Sequence, residues 1–231
     1  MMTPQQPTIT IKPNGPYLVT GDLPLAIQTI ATDSEGDSVA WEEGRTIAHE
    51  ATFALCRCGK SSKKPFCDGT HAKIGFDGTE TAKRVPFTEQ ADVIGEEGKP
   101  LALADAESLC AFARMCDPNG QVWNSVNQTD DPGVRKVFEA QVDRCPGGRL
   151  VTVEAATGNL REVAHAPALG LVEDPAKGCS GPIRVHGGIP ITGADGQTYE
   201  VRNRVTLCRC GESSNKPFCD GTHASFGFQG T

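Results

Sequence analysis

Three cysteines and one histidine recur at fixed spacing in two places along the chain. Cys56-x-Cys58-x8-Cys67-x3-His71 returns as Cys208-x-Cys210-x8-Cys219-x3-His223, every residue displaced by 152 positions. Three soft thiolates and an imidazole complete a four-coordinate shell, a donor set that serves a zinc ion or an iron–sulfur cluster. The spacing divides each set into pairs. Cys56-x-Cys58 can chelate one metal atom from an extended loop, and Cys67-x3-His71 puts both donors on one face of a helical turn. A sulfide-bridged centre takes one pair for each iron, so a [2Fe–2S] cluster fits, with a zinc knuckle as the alternative. Amides at the start of that turn, with the Gly59 and Gly211 backbones, are expected to donate to the negative centre.

The repetition extends beyond the ligands. Residues 56–79 and 208–231 are identical at 19 of 24 positions. Upstream, Gly15-Pro16 through Leu25 matches Gly181-Pro182 through Ile191 more weakly, and the first copy carries 14 extra residues between Leu25 and Gly44. Two copies are too few for a solenoid, so two lobes related by a pseudo-two-fold axis are expected.

Each repeat predicts short strands: Thr8–Lys12, the segments after each Gly-Pro, and Thr46–Leu55 or Thr198–Leu207 after the turns Glu43-Gly44 and Asp195-Gly196. Asp68 and Asp220 read as helix N-caps. The residues between the repeats differ in pattern. Asp131-Pro132 followed by Val134, Val137, Phe138 and Val142 predicts an amphipathic helix, Arg149–Val153 a strand, and Leu103–Met115 a second helix. The predicted fold class is α+β and β-rich. Its units are an N-terminal repeat at 8–79, an inserted α+β domain at 80–160, a connector at 161–180 and a C-terminal repeat at 181–231.

Composition limits the function. With 38% hydrophobic and 22% charged residues the chain is globular, and it lacks an apolar run of membrane-spanning length. Residues 89–131 hold nine acids against Lys99 and Arg114, which accounts for the whole net charge of −7 and argues against nucleic acid. Met1–Pro7 show neither a basic stretch nor an apolar one, and six of ten cysteines sit in metal-type spacing, so a reducing, cytoplasmic setting is expected. Without a Ser-His-Asp set, phosphate loop or dinucleotide fingerprint, no enzyme activity is expected.

Cys-x-Cys-x8-Cys-Asp-Gly-Thr-His resembles the CDGSH iron–sulfur domain, with Thr70 and Thr222 in place of the serine. The resemblance implies a [2Fe–2S] cluster on three Cys and one His, in a β-rich fold built as an intertwined homodimer. Here both units lie on one chain, so it implies a monomer with an internal pseudo-dimer and two such clusters. An electron-transfer role is expected, with a redox partner or, for a cluster carrier or a redox or pH sensor, an apo-protein acceptor. A zinc-binding interaction module is a further alternative.

Cys110-x5-Cys116, Trp123 and Cys145-Pro146 resemble a divergent single-cluster [4Fe–4S] ferredoxin domain over roughly 85–155. Three cysteines align and a cubane takes four; Cys179 lies 34 positions beyond Cys145. Buried thiols without a cluster are the reading taken, and a third cluster is the alternative. Lys64, Lys216, Ser61 and Ser213 are candidates to contact the ligands; Phe66, Phe76, Phe218 and Phe228 are expected to pack around the sites. His49, His165 and His186 read as ordinary surface or strand histidines.

Overall fold

The computed structural model describes residues 6–230. The alternating N-terminal segments form β1 (Thr8–Ile11) and β2 (Tyr17–Thr20), which bury every second residue. β3 (Leu25–Thr32), β4 (Ser38–Thr46) and β5 (Thr52–Leu55) follow, and β5 enters the first ligand loop, which ends in the single turn α1 (Thr70–Lys73). The middle segment contains α2 (Phe87–Gln90), β6 (Asp92–Ile94), β7 (Leu101–Asp105), α3 (Val122–Ser125), α4 (Pro132–Asp143), β8 (Leu150–Glu154) and β9 (Leu160–Arg161). β10 (Ala168–Asp174), β11 (Cys179–His186), β12 (Ile191–Thr192) and β13 (Arg204–Leu207) build the C-terminal repeat, whose ligand loop ends in a 3-10 turn at Thr222–Ala224.

The strands make three sheets, ordered β12-β1-β2-β5, β13-β11-β10-β3-β4 and β6-β7-β8-β9. The first two are built alike. β5, β2 and β1 are antiparallel neighbours, as are β13, β11 and β10. Each triplet then receives a parallel strand from the other repeat, with Ile9 opposite Ile191 and Leu169 opposite Leu25. The repeats have exchanged a strand. Gly21 and Gly187 take left-handed φ angles of 97° and 77° at the two crossovers. Beyond them the Pro24 and Pro190 carbonyls accept hydrogen bonds from Leu169 N–H and Ile9 N–H of the opposite repeat.

One apolar core joins the repeats to the middle segment. Ile9, Val19, Leu25 and Leu55 meet Leu171, Ile183, Ile191 and Leu207, and the third sheet adds Ala102, Ala104, Val151 and Val153. The opposite face of that sheet packs Leu101, Leu103 and Leu150 against Val122, Phe138 and Val142. α4 begins as its sequence dictates, with the Asp131 carboxylate accepting from Gly133 N at 2.7 Å and Val134 N at 3.1 Å.

Several expectations are corrected. Leu103–Met115 is not a helix: it begins inside β7, which is buried on both faces, and continuous apolar runs of that kind lack the period that separates strand from helix. The 161–180 stretch is more than a connector, since it holds β10, a central strand that pairs with both β3 and β11. Glu43-Gly44 lies within β4; the turn is at residues 33–37, where the Asp33 carboxylate accepts from Glu35 N and Asp37 N. The 14 extra residues of the first copy therefore lie within the β3–β4 hairpin. The strands before the ligand loops are shorter than expected, only β5 and β13. Among the described residues no helix is long and apolar enough to cross a membrane.

Candidate metal centres

β5 and β13 deliver the two ligand loops, and each loop folds back on its own strand. Leu55 bridges to Phe66 and Leu207 to Phe218. Cys56 N–H donates to the Pro65 carbonyl at 2.8 Å and Cys67 N–H to that of Ala54 at 2.8 Å; Cys208 and Cys219 repeat this with Pro217 at 2.8 Å and Thr206 at 2.9 Å. The Lys64-Pro65 and Lys216-Pro217 bonds are both cis. Asp68 and Asp220 are loop clamps rather than helix caps. Asp68 accepts from Ser62 N, Ser62 Oγ and Thr70 N, and Asp220 from Ser214 and Thr222 in the same way, while Gly69 and Gly221 occupy the cap positions. Hydrogen bonds from Thr70 and Ser62 hold the Asp68 carboxyl well below the usual range.

The donors meet in pairs. Cys56 Sγ and Cys58 Sγ are 3.8 Å apart, and Cys208 and Cys210 are 3.6 Å apart. Cys67 Sγ lies 3.3 Å from His71 Nδ1, and Cys219 Sγ 3.4 Å from His223 Nδ1. Two thiolates about 2.3 Å from a tetrahedral metal stand about 3.8 Å apart, so each pair has the bite of a chelate. Among the described residues no three His, Cys, Asp or Glu side chains converge as a single-ion site. The donor set fits a centre with one metal atom per pair. All eight predicted ligands are thus brought into pairs.

In the metal-free chain burial raises the Cys58 thiol and the contact with Cys208, then burial, raises Cys210, while Cys208 is the thiol held low. Cys208 is pulled down by its contact with Cys210 and by the amides of Ser213, Gly211 and Cys210, against the effect of burial. Burial pushes Cys219 up, opposed by the Gly221 amide at 3.4 Å. The serine hydroxyls do not reach the sulfurs: Ser61 Oγ and Ser213 Oγ donate to the Phe66 and Phe218 carbonyls at 2.7 Å. Lys216 Nζ donates to the Ser213 carbonyl. Phe228 packs on Cys208 and Cys210, and Phe76 stacks beneath Arg57.

The two loops lie back to back. Gly59 and Gly211 have φ of 71° and 91°; a Cβ on Gly59 would collide with the Cys210 carbonyl, and one on Gly211 would stand 2.8 Å from that of Cys58. Tyr17 of β2 crosses to the other loop and donates to the Cys208 and Pro217 carbonyls at 2.7 and 3.1 Å. The arginines inside each Cys-Arg-Cys are buried. Arg209 binds the Gly181, Val172 and Gly230 carbonyls and pairs with Glu173 at 2.8 Å, whereas Arg57 reaches the Gly78 and Lys12 carbonyls and pairs with no acid among the described residues. Their repetition was a signal available in the sequence; Tyr17, which has Ile183 as its counterpart, left none.

Burial separates the sites. All four candidate ligands of the C-terminal loop are at most 4% exposed, whereas Cys67 and His71 are half-buried. His223 is held down to about 4 by burial and then by Arg209.

In the middle segment the Cys116 thiol is raised by burial, then by Asp117, Cys145 and Cys110, but among the described residues these cysteines do not converge as a metal site. Cys179 instead feels Asp174, Arg114 and Glu173. Arg204 fixes the Cys145 end, donating to the Val142, Asp143 and Cys145 carbonyls at the C-terminus of α4. His186 lies partly buried in β11 and stacks on His165 at 5.0 Å.

The family model described as iron-binding zinc finger CDGSH type matches residues 14–72 and again 180–224. The chain carries two CDGSH-type regions. A model described as divergent 4Fe-4S mono-cluster matches residues 96–155, between the CDGSH regions. Iron–sulfur binding is the property the two families share, and the tandem CDGSH arrangement with its inserted segment follows the order of the matches. No curated protein and no solved structure matches the chain.

Proposed function

We propose that this chain is an electron-transfer protein, not an enzyme, with two [2Fe–2S] clusters. One is held by Cys56, Cys58, Cys67 and His71, the other by Cys208, Cys210, Cys219 and His223. A bound cluster supplies reversible uptake of one electron. The two repeats act as an internal pseudo-dimer in a cytoplasmic monomer that serves a redox partner, without nucleic acid or membrane. The observation that carries the reading is the pairing of donors, Cys–Cys at 3.8 and 3.6 Å and Cys–His at 3.3 and 3.4 Å, in both CDGSH loops. The chain's part is to hold these pairs: the Leu55–Phe66 and Leu207–Phe218 bridges set them, and the loop amides offset the thiolate charge.

The half-buried Cys67 and His71 favour a second reading for the N-terminal site, release of its cluster to an apo-protein acceptor. Iron and sulfide analysis of the purified chain, with its absorption spectrum, tests the proposal. Two [2Fe–2S] centres give about four iron and four sulfide per chain. Zinc without sulfide would sink it. Iron above that amount, lost on replacing Cys110, Cys116 and Cys145 by Ser, would reveal a third cluster.

A further inference from the structure

The two CDGSH loops share 19 of 24 residues, yet the rest of the chain treats them differently. The C-terminal loop is already docked. Asn215 Nδ2 donates to the Ser108 carbonyl at 2.8 Å, Thr81 Oγ1 to that of Ser214 at 2.6 Å, and the Thr81 and Ala82 amides to that of Lys216 at 2.8 and 2.9 Å. Phe112 and the Cys110 carbonyl lie so close to Gly221 that a Cβ there would be 3.1 and 3.5 Å from them. The equivalent positions of the N-terminal loop are Ser62, Lys63, Lys64 and Gly69. A Cβ on Gly69 would meet nothing within 4 Å, and among the described residues the Ser62 and Lys64 carbonyls accept no hydrogen bond from the middle segment.

The residues that differ between the loops supply the chemistry of the open one. Lys60, Lys63 and Lys73 are exposed, and their counterparts are Glu212, Asn215 and Ser225. Residues 56–73 carry Arg57, Lys60, Lys63, Lys64 and Lys73 against Asp68, a balance of +4; residues 208–225 carry Arg209 and Lys216 against Glu212 and Asp220, a balance of zero. Ile74, 51% exposed, adds an apolar contact beside them. An apolar spot with a basic rim suits a protein surface. The middle segment, at −7 over residues 89–131, repels a polyanion at long range, which favours approach of an acidic partner to the lysine face.

We propose that the N-terminal loop, through Lys60, Lys63, Lys73 and Ile74, is the docking face for a separate acidic redox protein, at the position the middle segment occupies on the C-terminal loop. The inference rests on the iron–sulfur reading of the loops. Lys60, Lys63 and Lys73 steer the encounter, and the half-buried His71 lies within the same loop and α1.

The test uses the iron-loaded full chain and an acidic plant-type ferredoxin as probe. Calorimetry at low and high ionic strength gives the affinity, and carbodiimide cross-linking with mass spectrometry locates the contact. The expected result is binding that weakens with salt, cross-links at Lys60, Lys63 and Lys73, and affinity about tenfold or more lower in the Lys60→Glu, Lys63→Glu, Lys73→Glu variant. The Lys136→Glu, Lys177→Glu control should bind as the parent does. No binding at low salt, equal loss in the control, or cross-links mainly at Lys136 and Lys177 would each overturn the proposal. So would self-association of the chain that the triple substitution abolishes, because the face would then serve a second copy. Iron content, measured on every sample, reports separately on the cluster reading. Iron retained with affinity unchanged defeats the docking face alone.

Discussion

His71 and His223 occupy the same place in the same motif, but the fold gives them different access to protons. His223 is 4% exposed and faces the Arg209 charge; its ring stays neutral down to about pH 4 in the metal-free chain. The unfolded chain takes up that proton near pH 6.5, so it binds more protons than the folded chain between about pH 6.5 and 4. Stability from this group is therefore full above that window and is lost as pH falls through it. With metal bound, protons compete for the nitrogen that faces the partner thiolate, and His71 is the ring that solvent reaches. The expected outcome is that acid removes the N-terminal cluster first. Absorbance followed between pH 7 and pH 4.5 in His71→Cys and His223→Cys variants checks this, since each leaves one histidine-ligated site. Faster loss from the variant that retains His223 would show that burial does not govern proton access.

At the scale of elements, the strand exchange is the feature that makes the repeats interdependent. β1 has β12 as its parallel neighbour and β10 has β3, so neither sheet is complete from its own repeat. Residues 1–80 expressed alone leave one edge of β1 unpaired and expose the apolar side of β3. They are expected to dimerise by mutual exchange of β3, which light scattering detects as twice the fragment mass; a stable folded monomer would show that the exchange is dispensable. How far the sequence foretold this differs by element. The pairing of the donors was legible because Cys-x-Cys and Cys-x3-His are local spacings whose geometry depends on few residues. α4 was legible from its Asp131 cap and 3.6-residue period. β7 and β10 were not, because a strand buried on both faces carries no alternation, and Ala, Gly and Pro around 155–180 hid β10 in loop-like composition. The contact of Gly59 with Cys210 is long-range and has no local pattern at all.

For the whole molecule, the two centres should differ in potential even though their ligands match. Reduction adds negative charge, which a buried site resists more than a half-exposed one and a basic neighbourhood favours. The C-terminal ligands are buried and their loop is neutral, while the N-terminal loop combines half-buried Cys67 and His71 with a balance of +4. Both influences act in the same direction. Arg57 and Arg209 do not reverse it. Arg209 is neutralised by Glu173, and Arg57 stacks on Tyr17, the side chain that braces the Cys208 loop, so its charge is shared between the sites. Exposed lysines are screened by salt, so the gap should shrink as ionic strength rises and retain the part due to burial. The expected result is that electrons settle first at the N-terminal centre. Its ligand loop is also the one left undocked by the middle segment. Stepwise reductive titration of His71→Cys and His223→Cys variants assigns the order, because each substitution marks one centre spectroscopically and an anionic ligand lowers that centre's potential. In the His223→Cys variant the two centres should separate further, and in the His71→Cys variant they should converge or invert. If the His71→Cys variant instead widens the gap, the C-terminal centre is the electron acceptor, and neither burial nor loop charge sets the order.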